Sequence, residues 1–296
     1  MTASASGFGQ VFPAPAKVNR FLHVTGRRAD GYHELQTVFQ FLGLADHLRF
    51  ERLPHGRFEM DARALDGEQN LCLRAARRLA EYTRAPIGVR IHLDKQIPVG
   101  GGLGGGSSDA ATTLVALNRL FELGLSLDEL SRLGLGLGAD VPVFVAARAA
   151  WAEGVGERLV PVEPDLAWLL LIDPGIAVAT GPMFDAPQLT RDCPAETISP
   201  DVDSARFGNV FEPVVRARYP AIARVLDWLA GQSERARLSG SGACVFGMFA
   251  DQAAARQAQS LQPEPWRSWV TPLLNVSPLQ QWLPGQAERS NEVIGA

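Results

Sequence analysis

Pro98-Val99-Gly100-Gly101-Gly102-Leu103-Gly104-Gly105-Gly106-Ser107-Ser108-Asp109-Ala110 is the stretch on which the fold turns. Six of the seven residues from Gly100 to Gly106 are glycine, so their backbone reaches conformations and close approaches closed to residues with a Cβ. Upstream, Val89-Arg90-Ile91-His92-Leu93 alternates as a strand does. Downstream, Ala110 to Leu120 has the pattern of a helix, and Ser107 or Ser108 is the expected N-cap. A glycine turn feeding a helix N-terminus is an anion site, because unpaired N–H groups and the helix dipole both favour negative charge. The natural occupant is a nucleotide phosphate.

The kind of loop is narrowed by what is missing. A Walker A loop places Lys-Ser/Thr after its glycines, whereas Ser107-Ser108 follows Gly106 with no lysine. Gly100, Gly102 and Gly105 satisfy G-x-G-x-x-G, but so dense a glycine run satisfies many patterns. A dinucleotide loop opens its domain and has an acidic residue about 20 positions on. Here most of a hundred residues precede the loop, and Glu122 falls in the expected helix. A flexible linker is the plain alternative, and the flanking strand and amphipathic helix oppose it.

At 296 residues the chain has room for two cores. The net charge of −4 supplies no basic field for nucleic acid or a membrane surface. An anionic small-molecule substrate must then be held by local groups. Cys72, Cys193 and Cys244 are odd in number and far apart, which suits a reducing compartment. The opening Met1-Thr2-Ala3-Ser4-Ala5-Ser6-Gly7 has no basic segment leading into an apolar run, and no apolar run nears the ~20 residues of a membrane span. A cytoplasmic location is the expectation. Lys plus Arg total 28, yet only Lys17 and Lys95 are lysines. Against so strong an arginine preference, a retained lysine marks a place where a compact ammonium serves better than a planar fork. Chance is the bland alternative.

Along the chain, residues 1–9 are expected as a loose tail, 11–25 as an extended segment and 26–31 as a charged loop. Strands are predicted at 35–44, 48–53, 87–93 and 166–172. Helices are predicted from Asn70 to about Arg84, over 107–122, from Ser126 with a capping box to Glu129, and over 209–218, 220–230 and 251–261. Residues 181–203 are Pro-rich and loop-like. A small-residue turn, Ser239-Gly240-Ser241-Gly242, lies between Leu238 and an apolar run over 243–249, and the end of the chain from 284 is polar. Glycines and prolines cluster at 154–164, which suggests one domain over 1–160 and a second over 161–296.

Three motifs now stand in order: Pro15-Ala16-Lys17-Val18-Asn19, the run Pro98 to Ala110, and Leu238-Ser239-Gly240-Ser241-Gly242-Ala243-Cys244. Together they resemble the GHMP kinase superfamily of small-molecule kinases. Arg28-Ala29-Asp30-Gly31-Tyr32-His33-Glu34-Leu35-Gln36-Thr37, Gly138-Ala139-Asp140-Val141-Pro142-Val143-Phe144 and Glu153-Gly154-Val155-Gly156-Glu157 narrow the likeness. They are similar to the branch that acts on 4-diphosphocytidyl-2-C-methyl-D-erythritol in non-mevalonate isoprenoid precursor biosynthesis. The resemblance covers about residues 11 to 250. It implies an α+β fold of two domains with the site in the cleft between them. The activity it implies is ATP-dependent phosphorylation of that substrate's 2-hydroxyl, with Mg2+ bridging the ATP phosphates through ligands that the sequence does not identify.

The resemblance also implies roles. Asp140 is the general base and Lys17 the cation beside it; for Asp140 alone, a helix N-cap reads equally well. Pro98, Val99, Gly100, Gly101, Gly102, Leu103, Gly104, Gly105, Gly106, Ser107 and Ser108 wrap the ATP phosphates. Asn70 and Lys95 lie near the adenosine half, where their plain readings are a helix cap and a surface charge. Tyr32, His33 and Phe184 take the cytidine end, with Asn19, Thr180 and Pro182 beside them, although core packing explains Tyr32 or Phe184 as well. Ser239, Gly240, Ser241 and Gly242 close the site from the second domain, or form a tight β-turn and nothing more. Asn209-Val210-Phe211-Glu212 departs from the family's usual Asn-Asp, with a structural consequence expected. Another small-molecule kinase of the superfamily is the first rival, opposed by Tyr32-His33. A ligand-sensing member without catalysis is the second, opposed by the presence of both Lys17 and Asp140. A dinucleotide oxidoreductase ranks last.

Overall fold

The strand that carries Lys17, β1 (Phe12–Arg27), is buried along nearly its whole length, and the rest of the architecture is arranged around it. The structure is a computed structural model that describes residues 7–61, 67, 69–198 and 207–285. The tails expected at 1–6 and 286–296, and residues 199–203 of the Pro-rich loop, lie outside the described residues.

Antiparallel to β1 runs β2 (His33–Arg52). The sequence suggests two strands there, at 35–44 and 48–53. Gly43, Ala45 and Asp46 interrupt the apolar pattern but not the extended backbone, because β1 pairs with β2 through that region at Pro15↔Ala45 and Ala14↔Asp46. Next come β3 (Phe58–Asp61), α1 (Leu71–Thr83) and β4 (Val89–Asp94). Asn70 is the N-cap of α1, its Oδ1 accepting the Cys72 N–H at 2.8 Å. After the glycine loop come α2 (Gly105–Leu120), α3 (Leu127–Leu135) and α4 (Val141–Ala146). The Ser126–Glu129 capping box of α3 forms as expected. A hairpin follows where the glycine and proline cluster reads as a boundary: β5 (Ala150–Gly154) and β6 (Arg158–Pro161). Then come β7 (Trp168–Asp173), α5 (Thr180–Phe184) within the expected loop, α6 (Glu212–Arg218) and α7 (Pro220–Ala230). The chain finishes with β8 (Ala236–Leu238), β9 (Val245–Phe249), α8 (Gln252–Ser260), β10 (Arg267–Leu274) and a 3-10 turn over Pro278–Trp282.

Among the described residues the strands form one sheet ordered β3-β4-β2-β10-β7-β9-β8, with β1 and β5 also on β2 and β6 on β5. The join is narrow: β10 meets β2 only at Leu273↔Leu42 and Leu274↔Phe41, while pairing with β7 over six positions. One core lies under α1 to α4 and contains Phe12, Phe41, Phe50, Leu114, Leu117 and Phe144, joined by Leu279 and Leu283 from the end of the chain. Another packs α5, α6 and α7 on the outer strands through Leu170, Met183, Phe211, Val215, Leu226 and Val245. Ala16, Val18, Leu42, Leu103, Leu171 and Phe246 form a third between them. Each large apolar side chain so buried contributes roughly 1.5–3 kcal/mol. Residues 7–9 are held rather than loose: the Phe8 ring meets Phe121 edge-on at 5.5 Å, and the Gly9 N–H donates to the Phe50 carbonyl at 3.2 Å.

Candidate functional site

Burial of β1 on both faces forces its polar side chains to find partners inside the protein. Lys17 is 3% exposed. Its ammonium donates to Asn19 Oδ1 at 2.6 Å and to the Gly102 carbonyl at 3.3 Å, pairs with Asp140 Oδ2 at 3.3 Å, and lies 5.1 Å from the Phe39 ring centre. Asn19 in turn donates to Thr37 Oγ1 at 2.9 Å. Asp140 stands at the N-cap position of α4 but makes no capping bond with its side chain. Its carboxylate turns to Lys17 instead, so its side chain does not act as a helix cap.

The glycine loop is stitched to both sides of the molecule. The Lys17 N–H donates to the Leu103 carbonyl at 3.0 Å, and the Cys244 N–H donates to the Gly101 carbonyl at 3.1 Å. Gly102 has φ +74°, and a Cβ there would lie 2.1 Å from the Ser239 carbonyl oxygen. Only glycine permits that approach. Helix α2 begins earlier than expected, at Gly105, with Gly104 as N-cap in the left-handed region at φ +70°. Ser107 and Ser108 therefore sit inside its first turn rather than capping it: Gly104, in the left-handed region, starts the helix three residues before Ser107. Ser107 lines the cavity, whereas Ser108 is fully buried and its Oγ has no partner among the described residues.

Behind the loop, Asp46 and Asp109 flank Lys95. The Lys95 ammonium pairs with Asp46 Oδ2 at 2.5 Å and with Asp109 Oδ2 at 2.6 Å. Asp46 Oδ1 also accepts the N–H groups of Gln96 at 2.6 Å and Ile97 at 2.8 Å, pinning the approach to the loop. Burial disfavours the Lys95 charge, but the two carboxylates outweigh it and raise its pKa. Asp109 is raised to about 7: burial is the main cause, Lys95 opposes it, and the charge on Asp46 adds to it. Asp109 Oδ1 has no hydrogen-bond partner among the described residues. Lys95 is thus a half-buried clasp rather than a free surface charge, and both lysines of the chain stand at this cavity. Asp46 lies in no motif quoted above, Asp109 closes the glycine run with no role assigned to it, and only the folded chain brings both to Lys95.

The cavity itself measures about 1130 Å³ and takes walls from both halves of the chain. Its lining includes Asn70, Lys95, Pro98 to Ser107, Lys17 and Asp140. It also includes Asn19, Tyr32, His33, Thr180, Phe184, Gly240 and Ser241. His33 stacks on Phe184 with ring centres 5.0 Å apart and planes 27° apart, while Tyr32 is 63% exposed beside them, not packed in the core. Burial, then the nearby Arg191 and Arg27, lowers the His33 pKa against the pull of Asp185. Thr180 Oγ1 and Ser241 Oγ are 3.0 Å apart. Pro182, Ser239 and Gly242 stand behind the wall rather than in it. The Pro182 carbonyl accepts from Arg218 at 3.1 Å, Ser239 Oγ donates to the Gly102 carbonyl at 3.0 Å, and the Gly242 N–H closes a turn on Ser239 at 2.9 Å. The Ser239–Gly242 segment is thus both a tight turn and a strap over the glycine loop.

The Asn209-Val210 departure has a clear structural setting. Asn209 Nδ2 donates to the carbonyls of Leu238 at 2.9 Å and Gly240 at 2.8 Å, and its Oδ1 accepts the Phe211 N–H at 3.0 Å. Val210 packs against the outer core.

Similarity to known proteins follows the same lines. Residues 70–148 match the GHMP kinases N terminal domain, and residues 196–262 match the GHMP kinases C terminal family. The chain is 50% identical over 274 residues to the 4-diphosphocytidyl-2-C-methyl-D-erythritol kinase of Halorhodospira halophila, covering 91% of this chain and 94% of that one. It is 50% identical over 279 residues to the enzyme of the same name from Thiobacillus denitrificans, covering 93% and 99%. A crystal structure of 4-(cytidine 5'-diphospho)-2C-methyl-D-erythritol kinase superposes with a TM-score of 0.77 at 37% identity, covering 89% of this chain and 99% of that one. On these likenesses the chain belongs to the 4-diphosphocytidyl-2-C-methyl-D-erythritol kinase family of the GHMP kinases.

Proposed function

We propose that this chain is a small-molecule kinase that moves the γ-phosphoryl group of ATP to the 2-hydroxyl of 4-diphosphocytidyl-2-C-methyl-D-erythritol, giving the 2-phosphate and ADP, in isoprenoid precursor biosynthesis. One observation carries the reading: a single cavity is lined by the Lys17–Asp140 pair, the glycine loop and the His33–Phe184 stack together. Such a cavity suits an elongated substrate with an aromatic base at one end and a hydroxyl at the other.

Phosphoryl transfer needs an in-line nucleophile and compensation of phosphate charge, with little covalent help. The loop amides and the α2 N-terminus hold the ATP phosphates. Asp140 accepts the proton of the attacking hydroxyl, and Lys17 both orients that carboxylate and stabilises charge on the transferring group. His33, Phe184 and Tyr32 take the cytosine by stacking and edge hydrogen bonds. Asn70 and Lys95 border the adenosine. Among the described residues no three acidic, histidine or cysteine side chains converge as a metal cage. That suits Mg2+ carried in on ATP, since this ion keeps phosphate and water ligands and needs few from protein. The Ser107 hydroxyl is an oxygen of the right kind on the phosphate side. When bound, the ion offsets phosphate charge. We place residues 1–160 and 161–296 as the two halves that meet at this cavity, and the enzyme in the cytoplasm with its small-molecule substrates. No helix of the described residues is long and apolar enough to cross a membrane.

The test is a coupled ADP-release assay with Mg-ATP and the cytidylated compound, run beside methylerythritol phosphate lacking the cytidylyl group. Turnover with the cytidylated compound alone is expected. Equal turnover with both, or with neither, overturns the substrate assignment and sends the search to other alcohols of the superfamily.

A further inference from the structure

Arg191 has no place in the family motifs quoted above, yet its guanidinium organises one wall of the cavity. Its Nε donates to His33 Nε2 at 3.3 Å. Its Nη2 donates to the carbonyls of Phe184 at 2.7 Å and Ala186 at 2.8 Å, and Nη1 to that of Leu189 at 3.1 Å. The side chain thus ties down both partners of the His33–Phe184 stack and the turn that follows α5.

We propose that Arg191 is a positioning residue that fixes His33 as the neutral imidazole with its proton on Nδ1, so that the aromatic wall offers a donor at one defined place. A guanidinium only donates and does not lose its proton in a protein. His33 Nε2 must therefore be the acceptor in this contact, and a neutral ring whose Nε2 accepts carries its hydrogen on Nδ1. A doubly protonated ring would turn an N–H against a permanent donor. The surroundings agree. Arg27, which faces His33 across the β1–β2 ladder, adds a second positive charge, burial disfavours the cation, and only Asp185 favours it. Lysine could not replace Arg191, because an ammonium lacks the planar fork that reaches a ring nitrogen and three carbonyls together.

The consequence concerns selectivity and rests on the function proposed above for what the wall contacts. A wall with one donor at a fixed position distinguishes base edges that accept there from those that donate. The tautomer itself rests on geometry alone, and its measurement needs no substrate.

Long-range proton–nitrogen spectra of the nitrogen-15-labelled enzyme, with His33 assigned through His33→Gln, report the tautomer directly. The expected result is an Nδ1–H ring that protonates only below the ordinary histidine value of about 6.5. An Nε2–H ring, or protonation at that ordinary value, overturns the proposal. In Arg191→Met and Arg191→Lys the ring should protonate at higher pH and lose its single tautomer. The KM for the cytidylated substrate should rise about tenfold at pH 8, as for a lost or misplaced hydrogen bond. It should rise further as the pH falls, while the KM for ATP and kcat stay within about twofold. An unchanged substrate KM in a folded variant, or equal losses in kcat, also overturns it. If neither variant folds, the wild-type spectrum still decides. An Nδ1–H ring in an enzyme inactive on the cytidylated compound would sink the substrate assignment and leave Arg191's role standing.

Discussion

Lys17 shows how a single side chain can be readable in a sequence while its surroundings are not. Its rarity in an arginine-dominated chain marks it, and its burial with Asp140 at 3.3 Å explains the rarity. A compact ammonium fits between Asn19, Gly102 and Asp140, where a guanidinium fork would not. Replacing Asp140 by Asn should lower kcat by about 10²–10⁴-fold through loss of the proton acceptor, with ATP affinity within about twofold. ADP release and nucleotide titration would show this, and a kcat within tenfold of the parent would remove Asp140 from the chemistry. Asp109 makes the opposite case. Nothing in Ser107-Ser108-Asp109-Ala110 suggests that this carboxylate shares a lysine with Asp46, sixty-three positions upstream. Its pKa rises from 3.8 to about 7 on folding, so the folded state holds a proton that the unfolded chain releases. The stabilisation is therefore complete below pH 3.8 and is lost as pH rises toward 7, with a slope of at most about 1.4 kcal/mol per pH unit. Asp109→Asn should abolish that component of the stability–pH curve in chemical denaturation. An unchanged slope would mean that Asp109 is ionised throughout.

At the scale of elements, periodicity and capping chemistry carry far. The Asn70 cap, the Ser126–Glu129 box and the helix stopping at Gly231 all stand where local rules put them. What local rules miss is pairing. A long β2 is invisible as one strand because its continuity comes from β1 and not from its own alternation. The first turn of α2 is misjudged because Gly104, not a serine, ends the loop. The β5–β6 hairpin reads as a boundary because the glycines that turn it look like linker glycines. Asn209 belongs at this scale, since it joins the segment before α6 to the strap at Gly240 through two donated bonds and one accepted. Asn209→Ala strips those bonds from a buried place and should cost about 2–3 kcal/mol. A fall in denaturation midpoint together with a raised KM for ATP is the expected pair. Stability lost with no change in nucleotide affinity would uncouple the strap from the glycine loop.

For the whole molecule, the three cysteines offer a simple check of how the cores close. Cys72 and Cys244 are buried, and burial pushes both thiols far up, while Cys193 is partly accessible. The native protein should yield one thiol, slowly, to a disulfide reagent at neutral pH, and all three after denaturation. A fast second thiol would show that the wall of Cys244 against Gly101 opens readily. The α+β class was legible through the resemblance that the three motifs carry, and the glycine loop through its glycine run between a strand pattern and a helix pattern. The narrow β2–β10 seam and the sharing of one cavity by distant segments were not, since they depend on which surfaces meet.

The Pro278–Trp282 turn lies against the beginning of the chain: Trp282 rests 4.6 Å from the Phe12 ring, and Leu279 and Leu283 enter the same core. During synthesis these residues leave the ribosome long after β1. Until they emerge, the face of Phe12 that they cover stays open to water, however early β1, β2 and the helices above them have assembled. A core built mostly from early strands and helices is thus sealed only by residues translated much later, and the nascent chain carries that apolar opening until they emerge.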